Sequence, residues 1–516
     1  MSAPVDRRAL VAVDLGAQSC RVSLLRWTVD GPCIQMVHRI PNAPVLRDGQ
    51  MRWDLSSICA AADEGLRRCA AIAVEGISAI GVTGWAVDYV RLDAEGKAMA
   101  DPFCYRDPRA AVAMDAVHQR ISPERLYALT GIQVLSLNTL YQLHADSMAG
   151  IPKHLRWLNL PEYMLYRWGA RPVAEYTNAT HTAMVASGTL QSGTLQWADE
   201  IFSAIELDPS AAPEIVPSGS IVGRLQGPLS RLPALRDAAL IAPACHDTAS
   251  AIAGIPAQGD NWAYISSGTW SLVGTLLDKP CAGPEAARLN FTNVGGVGGK
   301  ICFLRNVNGL WLLQQCIESW NATSAEWTAE TLINAAGKLS SPQELFGHLL
   351  LDVDDPGLLA PGKMPERIVA QLTQRYGRIP AELLQSPPAM TWMILHSLAT
   401  RYATVLHQAE SLTEKHFQSL YIVGGGSKNV LLNKLTEQAT GLHILCGSVE
   451  SATLGNFAVQ LAALENNGEG AAGTQAIRHT AVAHWANILA HSSMLQHENT
   501  STPSMIAAQP AKELRP

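Results

Sequence analysis

One local pattern occurs twice in this 516-residue chain, and that repetition constrains the fold more than any other feature. Residues 9–27 have the pattern of an apolar strand, a tight turn of small polar residues and a second strand. Residues 262–277 repeat the pattern with different residues. A third small polar tip lies within residues 421–429, before a predicted helix over residues 431–440. The repetition predicts two α/β halves, each of which opens with a hairpin.

Other segments have simpler patterns. Apolar residues at helical spacing predict a helix over residues 55–73, with Asp54 as its N-cap. Residues 77–90 predict a second strand–turn–strand block, interrupted at residues 83–85. Beyond residue 493 the chain is rich in Asn, Thr, Ser, Gln and Pro without periodicity, which predicts disorder.

Composition excludes several classes of protein. The chain has 38 Lys and Arg against 45 Asp and Glu, a net charge of −7, and no long basic run. We therefore expect neither a nucleic-acid partner nor a membrane partner. No stretch reaches the ~18 apolar residues of a spanning helix, and the N-terminus lacks the apolar core of a secretory signal, so a cytoplasmic location is expected. The ten cysteines are scattered without a C-x-x-C pair, which predicts small buried side chains rather than a zinc site.

Most standard catalytic signatures are absent. Gly299 and Lys300 are followed by Ile301, so they do not form a P-loop, and residues 424–429 lack the last glycine of a dinucleotide fingerprint. The three small polar tips remain. Each one alone is most often a simple turn, but small side chains also let backbone N–H groups approach phosphate oxygens. Asp14, inside the first strand, needs a partner, and Mg²⁺ would supply one.

Two further segments have a structural and a functional interpretation. Asp247 is a candidate N-cap of the helix that Thr248 begins, or a carboxylate placed to take the proton of a substrate hydroxyl. The two roles are compatible. Residues 306–317 predict an amphipathic core helix with Leu310, Leu313 and Ile317 facing inward. Asn306 and Gln314 are then surface residues or ligand contacts, and spacing does not decide between these.

Taken together and in this order, these segments resemble the FGGY carbohydrate kinases over residues 9–460. The resemblance depends on the group of motifs, because each motif alone is weak. The matching segments are residues 11–17, 85–89, 104–109, 175–180, 246–250, 264–272, 290–296, 309–314, 423–429 and 454–457.

The resemblance implies an α/β fold of two actin-like (ribonuclease H-like) domains around a central cleft. Residues 1–243 would form the mainly sugar-binding domain and residues 244–465 the mainly nucleotide-binding domain. Residues 466–516 would be a C-terminal extension whose last part is disordered. The implied reaction is transfer of a phosphoryl group from MgATP to the 1-hydroxyl of L-rhamnulose, giving L-rhamnulose 1-phosphate and ADP, a step of L-rhamnose catabolism. The implied partners are a small sugar and MgATP, and the chain would be a monomer or a small homo-oligomer.

The same resemblance assigns roles to individual residues. Asp247 matches the general base, and Asp14 would help to hold Mg²⁺ by analogy with the wider superfamily. The sugar-binding positions are Ala86, His246, Asp247, Thr248 and Asn306. The positions that match ATP contacts are Ala17, Gln18, Ser19, Cys20, Arg21, Thr269, Gln314 and Gly425.

Three residues depart from the family pattern. Thr83 replaces a carboxylate, Ala86 replaces a glycine at the sugar, and Cys20 replaces a glycine in the phosphate loop. These changes leave two alternatives open. One is a kinase of the same family for another ketose, such as L-fuculose or L-xylulose. The other is a sugar- or nucleotide-binding regulator that has lost turnover.

Overall fold

The computed structural model describes residues 7–187, 195–322, 326–468 and 477–496. The strands are β1 (Ala9–Leu15), β2 (Ser19–Thr28), β3 (Gly31–Pro41), β4 (Val45–Arg47), β5 (Gln50–Arg52), β6 (Ile77–Gly84), β7 (Tyr89–Arg91), β8 (Trp157–Asn159), β9 (Val173–Glu175), β10 (Glu214–Val216), β11 (Ser220–Arg224), β12 (Ala239–Ala242), β13 (Trp262–Ser267), β14 (Trp270–Leu277), β15 (Thr292–Gly295), β16 (Ile301–Asn308), β17 (Ser419–Val423), β18 (His443–Cys446) and β19 (Ser493–Gln496).

The helices are α1 (Leu55–Ile72), α2 (Arg109–His118), α3 (Pro123–Thr130), α4 (Thr139–Met148), α5 (Leu160–Arg167), α6 (Tyr176–His181), α7 (Asp199–Ala204), α8 (Asp247–Ala253), α9 (Pro284–Arg288), α10 (Trp311–Asn321), α11 (Ala329–Ala336), α12 (Pro342–Phe346), α13 (Met364–Tyr376), α14 (Ala381–Gln385), α15 (Pro387–Thr413), α16 (Val430–Thr440), α17 (Ser451–Gly468) and α18 (His479–Ala490). No helix in these described ranges is long and apolar enough to cross a bilayer.

Two sheets organise the molecule, and they share one core topology. The first has the strand order β11-β12-β6-β1-β2-β3-β19, and the second has the order β15-β16-β14-β13-β17-β18. In the first, β12, β6 and β1 are parallel, β2 is antiparallel to β1, and β3 is antiparallel to β2. In the second, β18, β17 and β13 are parallel, β14 is antiparallel to β13, and β16 is antiparallel to β14. The predicted division into two α/β halves that each open with a hairpin is therefore confirmed.

The predictions for single elements agree with the structure where apolar residues recur at helical spacing over several turns. Helix α1 covers the predicted segment, and the Asp54 side chain accepts a hydrogen bond from the backbone N–H of Ser57. All ten cysteines lie in the described ranges, and none is in a disulfide. Seven of them are buried, as expected of small apolar side chains.

Two predicted elements are wrong in part. The block over residues 77–90 is not one hairpin, because β6 pairs with β1 and β12 whereas β7 pairs with β8. The predicted helix over residues 306–317 begins only at Trp311, and Asn306 lies in β16. Its buried face contains Leu312, Leu313 and Cys316, while Leu310 and Ile317 are half-buried. The run of apolar residues before the helix belongs to a buried strand, which periodicity alone does not separate from a helix.

The C-terminal segment returns to the first sheet. Helix α17 packs against β1, β6 and α8, and α18 packs against α17. The apolar cluster on this face of the sheet includes Leu10, Phe457 and Trp485. Strand β19 pairs in parallel with β3, so the predicted disorder from residue 493 is wrong for residues 493–496. Residues 497–516 lie outside the described residues.

Helix α18 contributes to the apolar cluster on this face of the first sheet. Leu489→Ala is therefore expected to lower the free energy of unfolding by about 2–5 kcal/mol. Leu489 is buried in this cluster. Urea unfolding followed by circular dichroism measures the effect. The matched control is Leu345→Ala in α12, where the side chain is 52% exposed and a change within about 0.5 kcal/mol is expected. Equal effects of the two substitutions would contradict this packing.

Candidate active site

A cleft of about 790 Å³ lies between the two sheets, at the carboxyl ends of their parallel strands. Backbone hydrogen bonds join three of these ends. The N–H of Gly84 donates to the carbonyl of Cys245 (2.9 Å), and the N–H of Trp85 donates to the carbonyl of Leu15 (3.1 Å). Segments that follow β1, β6 and β12 therefore open into the same space, which is where α/β folds bind ligands.

Asp247 lies in this cleft at the first position of α8. The N-cap of α8 is His246, so the prediction that Asp247 is the N-cap is wrong by one residue. Its Oδ1 still accepts a hydrogen bond from the backbone N–H of Thr248 (2.7 Å), and its side chain is 32% exposed. Burial, followed by the negative charge of Asp14, raises the pKa of Asp247 to about 7.

Asp14 is buried at the end of β1 and forms an ion pair with Arg21 of the same hairpin (Oδ2 to Nη2, 2.8 Å). Arg21 also forms an ion pair with Glu450, which precedes α17 (2.8 Å). Burial raises the pKa of Asp14, and the Arg21 guanidinium opposes that shift. The negative charge of Asp14, for which the sequence analysis required a partner, is therefore paired with Arg21 of the protein itself.

The turn between β1 and β2 touches the opposite domain. The side-chain amide of Gln18 donates to Thr269 Oγ1 (3.2 Å) and to Gln314 Oε1 (2.7 Å). Gln314 thus joins the site through Gln18 without lining the cleft itself. Six of the eight residues predicted to contact ATP line the cleft directly, namely Ala17, Gln18, Ser19, Arg21, Thr269 and Gly425.

Cys20, unlike its neighbours in the turn, does not line the cleft. It is 5% exposed, and it packs in the apolar core of the first sheet. Burial raises the pKa of its thiol to about 12. Its side chain therefore does not face the cleft, and only its backbone remains near the turn that Gln18 forms.

The residues predicted to bind sugar also meet in the cleft. Ala86, His246, Thr248 and Asn306 all line it beside Asp247. Asn306 is held by the buried Gln133, which also lines the cleft and whose Oε1 accepts hydrogen bonds from the Asn306 side-chain amide (2.8 Å) and backbone N–H (3.1 Å). Thr83 does not face this space, because it is fully buried and its hydroxyl donates to the carbonyl of Val13 (3.4 Å).

The sequence analysis did not identify Asp88, a buried carboxylate that holds a residue lining the cleft. Asp88 is fully buried and accepts hydrogen bonds from the indole N–H groups of Trp53 (2.6 Å) and Trp85 (3.0 Å). Burial raises its pKa to about 6, against these hydrogen bonds. Trp85 lines the cleft, so Asp88 fixes an aromatic side chain there. The position of Asp88 as a charged residue within an apolar segment could have indicated a buried functional carboxylate. Nothing in the sequence indicated that Trp53 contacts it.

The backbone beside Asp88 is strained. Val87 has a φ of +71°, a conformation that a β-branched residue rarely adopts. The Thr139 hydroxyl (2.8 Å) and the Gln142 amide (3.3 Å) both donate to its carbonyl oxygen. These bonds hold the turn that presents Ala86 to the cleft.

A pair of buried glutamates, Glu162 and Glu175, supports the segment before Asp247. Glu175 accepts hydrogen bonds from the hydroxyl of Ser218 (2.5 Å), the hydroxyl of Thr177 (2.5 Å) and the backbone N–H of Cys245 (2.9 Å). Thr177 Oγ1 in turn accepts from the backbone N–H of His246 (3.1 Å). Beside it, Glu162 accepts from the backbone N–H of Glu175 (3.1 Å). This network fixes the two residues that precede Asp247.

Residues 9–254 match the N-terminal domain, and residues 263–464 match the C-terminal domain, of the FGGY family of carbohydrate kinases. The chain belongs to this family. Among curated proteins, it is 35% identical to a rhamnulokinase of Enterococcus faecalis over 89% of this chain and 90% of that protein. It is 34% identical to a rhamnulokinase of Bacteroides thetaiotaomicron, over 87% of this chain and 89% of that protein.

Solved structures agree on the fold. Gluconate kinase from Lactobacillus acidophilus superposes with a TM-score of 0.70 at 16% identity, covering 94% of this chain and 98% of that one. Glycerol kinase from Plasmodium falciparum with ADP superposes with a TM-score of 0.69 at 13% identity, covering 95% and 94%. The protein thus has the two-domain actin-like fold and is an ATP-dependent sugar kinase, with a sugar and ATP as its substrates.

The buried Glu pair generates a prediction about pH. Burial raises the pKa of Glu162 to about 8 and that of Glu175 to about 7, from an ordinary value of 4.5. Between these limits the folded state binds more protons than the unfolded state, so the free energy of unfolding falls as pH rises. Each group contributes a slope of up to about 1.4 kcal/mol per pH unit. Glu162→Gln removes one of these groups, and a shallower slope between pH 5 and 8 is expected in urea unfolding.

The substitution keeps its hydrogen bonds. The new glutamine side chain still offers one oxygen to the N–H of Glu175, and the Asn178 amide, which donates to Glu162 in the parent (2.9 Å), can rotate to accept from the new amide. The control is Glu64→Gln, because the Glu64 side chain is 41% exposed and hydrogen bonding to Arg68 lowers its pKa. A slope unchanged by Glu162→Gln would show that Glu162 does not titrate in this range.

Proposed function

We propose that this protein is a rhamnulokinase, which transfers the γ-phosphoryl group of MgATP to the 1-hydroxyl of L-rhamnulose. The observation that carries the proposal is the position of Asp247. It lies in one cleft with the residues of the predicted sugar-binding set and with the small polar turns of both domains. The similarity to curated rhamnulokinases at 31–35% identity over 87–91% of the chain supports the choice of sugar.

Asp247 is proposed as the general base. During transfer, the oxygen of the sugar hydroxyl forms a bond to the γ-phosphorus, the bond between that phosphorus and the β–γ bridging oxygen breaks, and ADP leaves. The hydroxyl proton passes to the Asp247 carboxylate. A pKa of about 7 matches a base that accepts a proton near neutral pH. The hydrogen bond from the Thr248 N–H fixes one carboxylate oxygen, which leaves the other for the substrate.

The residues around Asp14 fit a magnesium ion that travels with the nucleotide. Asp14 and Asp247 line the same cleft and are close enough for the charge of Asp14 to raise the pKa of Asp247, so two carboxylates lie near each other there. Carboxylate oxygens together with substrate phosphates are the usual ligands of Mg²⁺. When bound, Mg²⁺ would neutralise charge on the phosphates. Asp14 is the residue proposed to hold it, and Arg21 keeps that carboxylate oriented.

The phosphate side is proposed to use backbone groups. A Cβ built on Gly425 would meet no atom within 4 Å, so this glycine leaves open space at the cleft. Its neighbour Gly424 differs, because it has a φ of +81° and a Cβ there would lie 2.8 Å from the carbonyl oxygen of Ser267. The fold therefore requires the glycine at 424, whereas the glycine at 425 serves the close approach of a ligand.

The sugar side combines polar groups with an apolar wall. Ala86, Ile132, Leu135 and Leu137 line the cleft in the same domain as Trp85. Such a wall accepts a methyl group and leaves a hydroxyl without a partner, which favours a deoxy-ketose over a fully hydroxylated one. Ala86 is consequently the departure from the family pattern that bears on sugar choice. Thr83, buried against β1, does not touch this space.

Asp247→Asn is expected to lower kcat by a factor of about 10²–10⁴, because the amide cannot accept the proton. Its oxygen can still accept from the Thr248 N–H, so the variant is expected to fold with unchanged or higher stability. A coupled ADP-release assay with L-rhamnulose, together with thermal unfolding, measures both. Retention of most turnover would exclude Asp247 as the base.

The same assay with a panel of sugars tests the substrate. A kcat/KM for L-rhamnulose above those for L-fuculose, L-xylulose, D-xylulose, D-ribulose and glycerol is expected. Preferred turnover of another ketose would keep the kinase and reject the proposed sugar. Binding of ATP and sugar without any release of ADP would instead favour a regulator.

Gly425→Leu is expected to raise the KM for ATP at least tenfold, because the new side chain enters the open space beside the phosphate turns. The KM for the sugar and the free energy of unfolding are expected to stay nearly constant. Gly424→Ala is the matched comparison, and it should lower stability instead, since it combines a positive φ with a close contact. An unchanged KM for ATP in Gly425→Leu would remove this turn from the nucleotide site.

A further inference from the structure

Two histidines form a close pair in the wall of the cleft. His181 is the last residue of α6, and His246 is the N-cap of α8. Their ring centroids are 4.0 Å apart with the planes inclined by 59°. Both residues line the cleft, although each is more than nine-tenths buried, at 8% and 5% exposure. His246 belongs to the predicted sugar site. His181 does not, because the matching segment of residues 175–180 ends one residue before it.

The hydrogen bonding of this pair is incomplete. His246 Nε2 faces Asp247 Oδ1 at 3.4 Å. Among the described residues, neither His246 Nδ1 nor His181 Nε2 has a hydrogen-bond partner, and the same is true of the Thr292 hydroxyl, which also lines the cleft. Buried polar atoms without partners are rare, and a ligand that supplies the missing partners explains their retention.

Both rings are neutral, which suits an uncharged polyol. Burial lowers the pKa of His181 to about 4 and that of His246 well below its ordinary value. A neutral imidazole has one N–H donor and one acceptor nitrogen. A sugar hydroxyl likewise donates and accepts, so each ring matches one hydroxyl group.

The fold does not depend on the His181 ring to hold α6. The Thr180 hydroxyl accepts a hydrogen bond from the Gly295 N–H of the other domain (2.8 Å), and Thr177 Oγ1 accepts from the His246 N–H. The Asn178 amide donates to Glu162 (2.9 Å). These bonds fix the helix through residues other than His181, which leaves the imidazole free for recognition.

We propose that His181 is a specificity-determining residue that, packed against His246, binds a secondary hydroxyl of the ketose, away from the hydroxyl that is phosphorylated. The proposal rests on the proposed function, because it takes the cleft beside Asp247 as the sugar site. His181 orients the sugar by binding it and takes no part in the proton transfer.

The test compares His181→Phe with His181→Gln by steady-state kinetics. Phe keeps the ring contact and removes both nitrogens, so the KM for the sugar is expected to rise at least tenfold, with the KM for ATP within twofold of the parent. Gln restores a donor and an acceptor and is expected to recover most of that loss. His144→Phe is the control, because His144 is also buried but lies outside the cleft, with Nδ1 3.1 Å from the Ile205 carbonyl. It should leave the KM for the sugar unchanged.

The sugar used is whichever panel member the parent phosphorylates, so rejection of L-rhamnulose as substrate does not decide the role of His181. An unchanged KM for that sugar in His181→Phe overturns the proposal. If this variant does not fold, the parent labelled with ¹⁵N-histidine provides the decision. Addition of the sugar without ATP is expected to shift the ring-nitrogen signals that are missing in His181→Gln, and signals that do not move overturn the proposal.

Discussion

The hydrogen bonds that join the ends of three parallel strands determine where the functional groups of the N-terminal domain lie. Trp85 donates to Leu15, and Gly84 donates to Cys245, so the segments after β1, β6 and β12 are held side by side. A shift of one residue in either register would turn the side chains of that strand to the opposite face of the sheet. Asp14, Ala86 and Asp247 come together because this pairing is fixed, although they are far apart in the sequence.

Buried carboxylates maintain that arrangement around the strand ends. Asp88 holds the Trp53 and Trp85 indoles, and Glu175 holds the backbone of Cys245. Their burial raises both pKa values, so the protein retains them against an unfavourable desolvation energy. Replacement of these carboxylates by apolar residues would leave several buried N–H and O–H donors without acceptors. That loss costs more free energy than the burial of the carboxyl group. The polar groups thus fix loop positions that an apolar core would leave less well defined.

The sequence predicts the elements with a clear local signal. The two hairpins, helix α1 with its Asp54 cap and the residues of the small polar turns follow from periodicity and turn chemistry. The place of Asn306 does not, because apolar residues on both sides of it fit a buried strand as well as a helix. The pairing of β19 with β3 joins segments more than 450 residues apart in the sequence, and no local pattern encodes it. His181 and Trp53 were missed for the same reason, since only the folded chain brings them to the cleft wall or behind it.

Contacts between the domains differ in kind along the cleft. At β15 they are buried hydrogen bonds, from the Gly295 N–H to Thr180 Oγ1 and from the Asn293 amide to the Gly131 carbonyl. At the turn between β1 and β2, Gln18 bonds to Thr269 and Gln314 at exposed positions, where water competes for the same groups. Exposed polar pairs contribute at most about 1 kcal/mol, whereas a buried donor separated from its acceptor loses more. The contact at the turn between β1 and β2 therefore costs less free energy to break than the buried contacts at β15.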